Sequence, residues 1–361
     1  MKYIDEYRNA EVVHKISERL KSYDNLDISL MEVCGGHTMA IHRFGIPSLL
    51  PKGIKLISGP GCPVCVSSIN FIDKAIALSE IDDVIITTYG DLIRVPGSQT
   101  SLEKEKSKGA DIRIVYSTLE ALNIAKANQD KKVVFLGIGF ETTAPASAVA
   151  IQKVFNEKIT NFYLLSAHKI MPPVMEALLN DEVKIDGFIC PGHVSTITGS
   201  NIYNFIPEKY KIACVVTGFE PTDLMQSIDM LANQIVNNNQ KVEIQYSRAV
   251  IKDGNAKAQA IMNEVFETRN DFWRGIGEIP NSGLKLREKY KYFDAELVFD
   301  IKVESKSENK ACICGDILRG LKTPKDCKLF GKTCSPVNPI GACMVSSEGS
   351  CAAYYKYRNY E

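Results

Sequence analysis

Residues Val133-Val134-Phe135-Leu136-Gly137-Ile138 are an unbroken apolar run and the heart of a strand predicted over 132–138. The turn residues Gly139-Phe140-Glu141-Thr142-Thr143 follow, then a helical pattern over 144–156 and a second apolar run over 162–166. A strand that is apolar throughout, rather than alternating, is one buried on both faces, and such strands belong to parallel sheets covered by helices. The alternation extends in both directions. Strands are predicted at 28–33, 54–58, 83–88, 112–116, 187–190 and 211–216, with helices at 67–79, 117–127, 172–180 and 221–236. The reading is an α/β protein with largely parallel sheets. Functional groups of such sheets gather in the turns beyond the carboxyl ends of the strands.

The chain also repeats itself weakly. Cys34-Gly35-Gly36-His37 returns as Cys190-Pro191-Gly192-His193, and at the same offset Pro51 matches Pro207 and Lys55 matches Lys211. A second echo joins Gly139-Phe140-Glu141-Thr142-Thr143 to Gly218-Phe219-Glu220-Pro221-Thr222. These echoes suggest two related α/β domains, 1–130 and 131–240, facing a shared cleft. Residues 241–361 form a third module with a strand at 243–249, a helix at 254–268 and a Gly- and Pro-punctuated stretch from Trp273 to Gly283. A polar linker, Glu304 to Lys310, then leads into a cysteine-rich tail.

Composition narrows the function. Of 361 residues, 43 are Lys or Arg and 43 are Asp or Glu, so no basic field exists to grip a phosphate backbone, and nucleic acid is disfavoured as a partner. Met1 to Leu20 reads as a charged amphipathic helix without the apolar core of a signal peptide, and no apolar run is long enough to span a bilayer. The expected compartment is the cytoplasm. There, 11 cysteines point to metal binding or redox chemistry rather than to a disulfide framework.

Four motifs carry that chemistry. Cys34-Gly35-Gly36-His37-Thr38 ends a strand at a double-glycine turn, exposing a thiolate where backbone N–H groups can approach a ligand. Cys34 and His37 are soft and borderline donors for iron, although a buried cysteine beside turn glycines fits the pattern too. In Gly59-Pro60-Gly61-Cys62-Pro63-Val64-Cys65, a Cys-x-x-Cys opens a helix whose N-terminus favours thiolates; it suits thiol–disulfide exchange or one shared metal. Tyr89-Gly90-Asp91-Leu92-Ile93-Arg94-Val95-Pro96-Gly97 reads as a salt-bridged turn. Gly137 to Thr143 lacks the third glycine of a dinucleotide fingerprint, and no phosphate-binding Gly-x-x-x-x-Gly-Lys loop occurs, so ATP and NAD are not expected. The tail holds Cys312, Cys314, Cys327, Cys334, Cys343 and Cys351; four of them suit a [4Fe–4S] cluster, and a structural zinc would prefer tight Cys-x-x-Cys pairs that are missing. His168 and His193 stand at predicted strand ends, where hydrogen-bonded loop histidines are common. His14 and His42 are assigned to surface or packing roles.

Taken together, the ordered motifs resemble the hydrogenase maturation factor HypD family. They include Cys34-Gly-Gly-His-Thr38, Gly59-Pro-Gly-Cys-Pro-Val-Cys65, Gly90-Asp-Leu-Ile-Arg-Val-Pro-Gly97, Gly139-Phe-Glu-Thr-Thr143, Pro191-Gly-His-Val194, Gly218-Phe-Glu-Pro221, Trp273-Arg-Gly275, Cys314-Gly-Asp-Ile-Leu-Arg-Gly320 and Val345-Ser-Ser-Glu-Gly-Ser-Cys351. The resemblance implies a metallocentre-assembly scaffold rather than a conventional turnover enzyme. It implies a HypC-type chaperone as partner, a HypE-type cyanide donor, and an iron dressed with cyanide and carbon monoxide for a [NiFe]-hydrogenase. The family's cluster pattern, Cys-x12-Cys-x6-Cys-x16-Cys, falls on Cys314, Cys327, Cys334 and Cys351, leaving Cys312 and Cys343 over, and Cys343 could replace one of the four. Its iron site maps onto Cys34, Cys62 and Cys65. A thiol–disulfide oxidoreductase using Cys62 and Cys65, with the cluster as electron donor, is the alternative reading.

Overall fold

The described residues form eleven strands: β1 (Ile28–Glu32), β2 (Ile54–Ser58), β3 (Val84–Thr88), β4 (Ile112–Ile114), β5 (Lys132–Gly139), β6 (Phe162–His168), β7 (Gly187–Pro191), β8 (Ala213–Thr217), β9 (Val242–Ile244), β10 (Phe266–Trp273) and β11 (Gly277–Leu286). The computed structural model describes residues 5–23, 26–181, 183–304 and 309–357. The linker expected from Glu304 to Lys310 falls mostly outside them.

The first sheet has the order β2-β1-β7-β8-β9 and the second β4-β3-β5-β6. Every pairing within them is parallel. In β5 each residue from Val133 to Gly139 is buried, which is what its unbroken apolar run demands of a central parallel strand. Phe135 and Phe162 are fully buried there, and such side chains each contribute about 1.5–3 kcal/mol on leaving water. The helix Pro221–Val236 starts where predicted because Pro221 occupies its first turn and Glu220 with Asp223 closes a capping box.

Two expectations are revised. The partition into 1–130 and 131–240 is not the one the backbone hydrogen bonds make. Strand β3 pairs with β4 on one side and β5 on the other, so a boundary near residue 130 would cut the second sheet in half. The first sheet is discontinuous in sequence: the chain lays down β1 and β2, builds the whole second sheet, and returns to add β7 to β1. The first four strands of that sheet and the four of the second nevertheless follow the same strand order, with the second set inserted in sequence between β2 and β7. Secondly, the stretch from Trp273 to Gly283 is mostly ordered strand. Strands β10 and β11 form a two-stranded antiparallel ribbon, and Pro280 is tolerated because such a ribbon has open edges. The helix predicted over 254–268 stops at Val265, where the chain enters that ribbon, and the strand predicted over 243–249 is confined to β9.

Strand order reverses between β1 and β7 in the first sheet and between β3 and β5 in the second. Crevices open beyond the carboxyl ends of strands at such points. The motifs at Cys34, Cys190, Tyr89 and Gly139 all lie there.

Candidate functional site

Cys34 follows β1 and starts the helix Gly35–Arg43. Its turn lies backbone-on-backbone against the turn that carries Cys62. The N–H of Gly35 donates to Gly61 O at 2.9 Å, and the N–H of Gly59 donates to Glu32 O at 2.7 Å. A methyl group on Gly61 would fall 2.1 Å from Cys34 N, so only glycine allows this approach. Cys62 and Cys65 are joined by a disulfide and are 3% and 0% exposed, whereas Cys34 is free and keeps part of its surface open. The sequence grouping of these three cysteines is therefore a spatial one.

The surroundings of Cys34 are acidic and dry. Desolvation pushes its thiol up to about 12, and the nearby charge of Glu348 adds to the effect. Desolvation likewise raises Glu32 to about 8, although Glu32 accepts hydrogen bonds from Thr38 Oγ1 at 2.5 Å and Cys34 N at 3.1 Å. An undisturbed Cys34 is thus a protonated thiol, and a soft cation binding its sulfur would displace the proton to a nearby base.

His37 is turned to a different task from the one its spacing suggests. Its ring is completely buried; Nε2 lies 3.1 Å from the carbonyls of Thr217 and Gly218, and the ring stacks on Phe219. Desolvation lowers it to about 4, so it is a neutral strut pinning the Cys34 helix to the end of β8.

In the tail, Cys312, Cys314, Cys327, Cys334 and Cys351 line one small cavity with Ile317, Leu329, Phe330 and Met344. The Cys312 thiol donates to Cys314 Sγ at 3.3 Å. Cys314 is raised well above the ordinary thiol range, by hydrogen bonding to Cys312 first and Cys343 second, and Cys351 is raised by its hydrogen bond to Cys314 and by burial. Among the described residues no three such side chains converge as on a single metal ion. The five lining thiols, around a space otherwise bounded by apolar side chains, are a donor set that could hold an iron–sulfur cluster, with one sulfur more than four ligands require. Cys343 is fully buried beside Cys314 but does not line the cavity. The segment that lines the cavity with Gly341 and Met344 also reaches the disulfide, since Cys65 Sγ lies 4.0 Å from Ala342 O.

The carboxylates Glu32, Glu141 and Glu348 were not singled out from the sequence. Glu141, raised to about 7 by burial, accepts from Met171 N at 3.0 Å through one oxygen. A legible signal did exist for Glu32, which interrupts the apolar strand Ile28 to Val33. Cys190 is fully buried within β7, as is Cys214 in the neighbouring β8, which fits packing roles. His168 is buried in the second sheet, with Nε2 2.9 Å from Ser147 Oγ.

A family model described as the hydrogenase formation hypA family, HypD, matches residues 8–358. The chain is 48% identical to the hydrogenase maturation factor HypD2 of Bradyrhizobium diazoefficiens, over 99% of this chain and 97% of that protein. It is 49% identical to a putative hydrogenase expression/formation protein of Methanocaldococcus jannaschii over 96% of each chain. With the hydrogenase maturation factor HypD of Escherichia coli it shares 44% identity over 100% of this chain and 99% of the other.

Proposed function

Since this chain belongs to the HypD family, a family of hydrogenase maturation, we propose that it is the scaffold on which a HypC-type chaperone and Cys34 together hold iron while it acquires its ligands. Its partners belong to the Hyp maturation machinery. The cargo is Fe(II), which becomes the Fe(CN)2CO unit of a [NiFe]-hydrogenase, with cyanide delivered by a HypE-type donor. The observation that carries this reading is the stacking of the Cys34 turn on the Cys62–Cys65 turn, with the cysteine-lined cavity behind them.

The residues divide the work. Cys34, the partly exposed thiol, binds the iron and leaves coordination positions open to the chaperone and to small ligands. The low polarity around it favours the soft iron–thiolate bond over hydration. Cys62 and Cys65 flank the same turn; reducing their disulfide takes two electrons and two protons and frees two further thiols for the iron. Cys314, Cys327, Cys334 and Cys351 hold a [4Fe–4S] cluster. When bound, that cluster supplies single electrons. Glu32 and Glu348 stand where the proton displaced from Cys34 must go. His37 keeps the turn in place. Free thiols in this number suit the cytoplasm, and among the described residues no helix is long and apolar enough to cross a membrane.

The thiol–disulfide oxidoreductase alternative has less support, because a disulfide with both sulfurs buried offers no access to a protein substrate. The deciding experiment is anaerobic purification with and without the small chaperone, followed by iron and sulfide analysis and infrared spectroscopy. Cyanide and carbonyl bands on iron in the complex are expected. Their absence, together with turnover of a disulfide substrate, would favour the alternative.

A further inference from the structure

The loop Tyr89 to Gly97 takes no part in the proposed function. Its sequence suggested Asp91 and Arg94 salt-bridged to one another. Instead both side chains reach across to the cysteine-rich module. Arg94 donates from Nη1 to Pro336 O and from Nη2 to Val345 O, each at 3.2 Å. Asp91 Oδ2 accepts from Ser346 Oγ at 2.8 Å, and Ser346 Oγ in turn accepts from Glu348 N at 3.3 Å. Two side chains from the carboxyl end of β3 thus grip one short strip of the module, 345–348.

That strip joins the two chemically active places. On one side it continues to Cys351, which lines the cysteine cavity. On the other, Glu348 lies over the Cys34 turn: a methyl on Gly35 would meet Glu348 Cβ at 2.5 Å and Glu348 Oε2 at 2.9 Å. The strip has no helix or strand of its own between Met344 and Ser350; besides the turn bonds from Val345 N to Ala342 O and from Gly349 N to Ser346 O, it is held by these grips.

We infer that Asp91 and Arg94 are positioning residues that clamp the strip 345–348 so that Glu348 covers the Cys34 turn, setting how open that thiol is. The inference builds on Cys34 as the reactive site of the reading above but concerns only the geometry around it. An arginine bonded to two backbone carbonyls, with an aspartate fixed on the next residue, holds a segment in translation and rotation, which either contact alone would not do.

The test is the alkylation rate of Cys34 by iodoacetamide in the folded full-length chain, read peptide by peptide by mass spectrometry, for Arg94→Gln and Asp91→Asn. Loss of either grip should speed labelling of Cys34 by about tenfold, through local opening of the strip, while the Cys190 peptide keeps its rate. In a Glu348→Ala background, where the cover is already gone, neither substitution should add to the rate. If Arg94→Gln does not fold, Ser346→Ala, which removes the Asp91 contact together with the bond from Glu348 N, carries the same expectation. An unchanged Cys34 rate, an equal rise at Cys190, or a full additional rise in the Glu348→Ala background would each overturn the clamp. None of these readouts needs iron, so failure of iron binding at Cys34 would leave the result interpretable.

Discussion

Cys34-Gly35-Gly36-His37 and Cys190-Pro191-Gly192-His193 end neighbouring strands of one sheet, yet they hold opposite chemistry. Strand β1 ends at Glu32, so Cys34 lies beyond the last ladder residue, in the turn. Strand β7 runs through Pro191, so Cys190 is still a strand residue and its side chain is sealed in the core. The histidines are exchanged in the same way: His37 is completely buried, and His193 is exposed at the mouth of a pocket with Phe219 and Tyr246. Both rings stack on Phe219, with centroids 4.6 and 3.9 Å away. Where a strand stops relative to the motif decides which of its side chains meets solvent, because successive strand residues alternate between faces. A repeated motif is therefore not a repeated site.

The sharpest way to break this comparison is to delete each cysteine. Cys34→Ala should abolish the iron–cyanide and iron–carbonyl infrared bands in the chaperone complex while leaving the fold and the tail's iron and sulfide unchanged. Cys190→Ala should keep the bands and cost about 1–2 kcal/mol in denaturant unfolding, the scale of a small buried cavity. Bands at full strength in Cys34→Ala would move the site to the Cys62–Cys65 pair.

The glycines give the next largest effect. A methyl on Gly192 would fall 2.3 Å from the backbone oxygen of Thr217, which is locked in β8 and cannot yield. On Gly36 it would meet the Phe219 ring at 2.9 Å, and a ring can tilt by a few tenths of an ångström. Overpacking of these two kinds should cost about 3 kcal/mol for Gly192→Ala and about 1 kcal/mol for Gly36→Ala, measured by urea titration. Equal costs would mean that the two turns are equally rigid.

Much of this is legible in the sequence. The apolar runs from Ile28 to Thr217 gave every strand of that stretch to within a few residues, because short β-branched runs bounded by turn residues mark strands even at the half-exposed edges β2 and β4. The grouping of Cys34 with Cys62 and Cys65 came from the family resemblance, since two motifs that each end a strand need not be neighbours. What stayed hidden was long-range. Nothing local in residues 54–58 says that the next strand of that sheet will be β7 rather than β3, so the insertion of one unit into the other was missed. The contacts of Asp91 and Arg94 were missed for the same reason: Arg94 bonds the backbone carbonyls of Pro336 and Val345 and Asp91 the hydroxyl of Ser346, far along the chain and with no local signal in the sequence. His37 was read by its neighbour Cys34, whereas its ring answers to carbonyls at the end of β8.

The smallest effect separates the two histidines by pH. An unfolded histidine titrates near 6.5. His37, fully buried, is lowered to about 4 by desolvation, so between those two values the unfolded chain binds a proton that the folded chain refuses. Its contribution to stability is complete above pH 6.5 and is lost as pH falls through the window from 6.5 to 4. By pH 5.5 that loss is about 1 kcal/mol. His168, also lowered to about 4, acts with the same sign, while Glu32 and Glu141, raised by burial, act with the opposite one. All three remain in a His37→Gln variant, so subtracting its stability from that of the parent at each pH isolates His37. The difference should shrink by about 1 kcal/mol from pH 7 to 5.5. His193 is lowered too, but it is partly open to solvent, and His193→Gln should give a flatter difference curve. A His37 curve no steeper than that of His193 would mean that the buried ring reaches water before the chain unfolds, and that the strut holding the Cys34 turn is looser than its two carbonyl contacts imply.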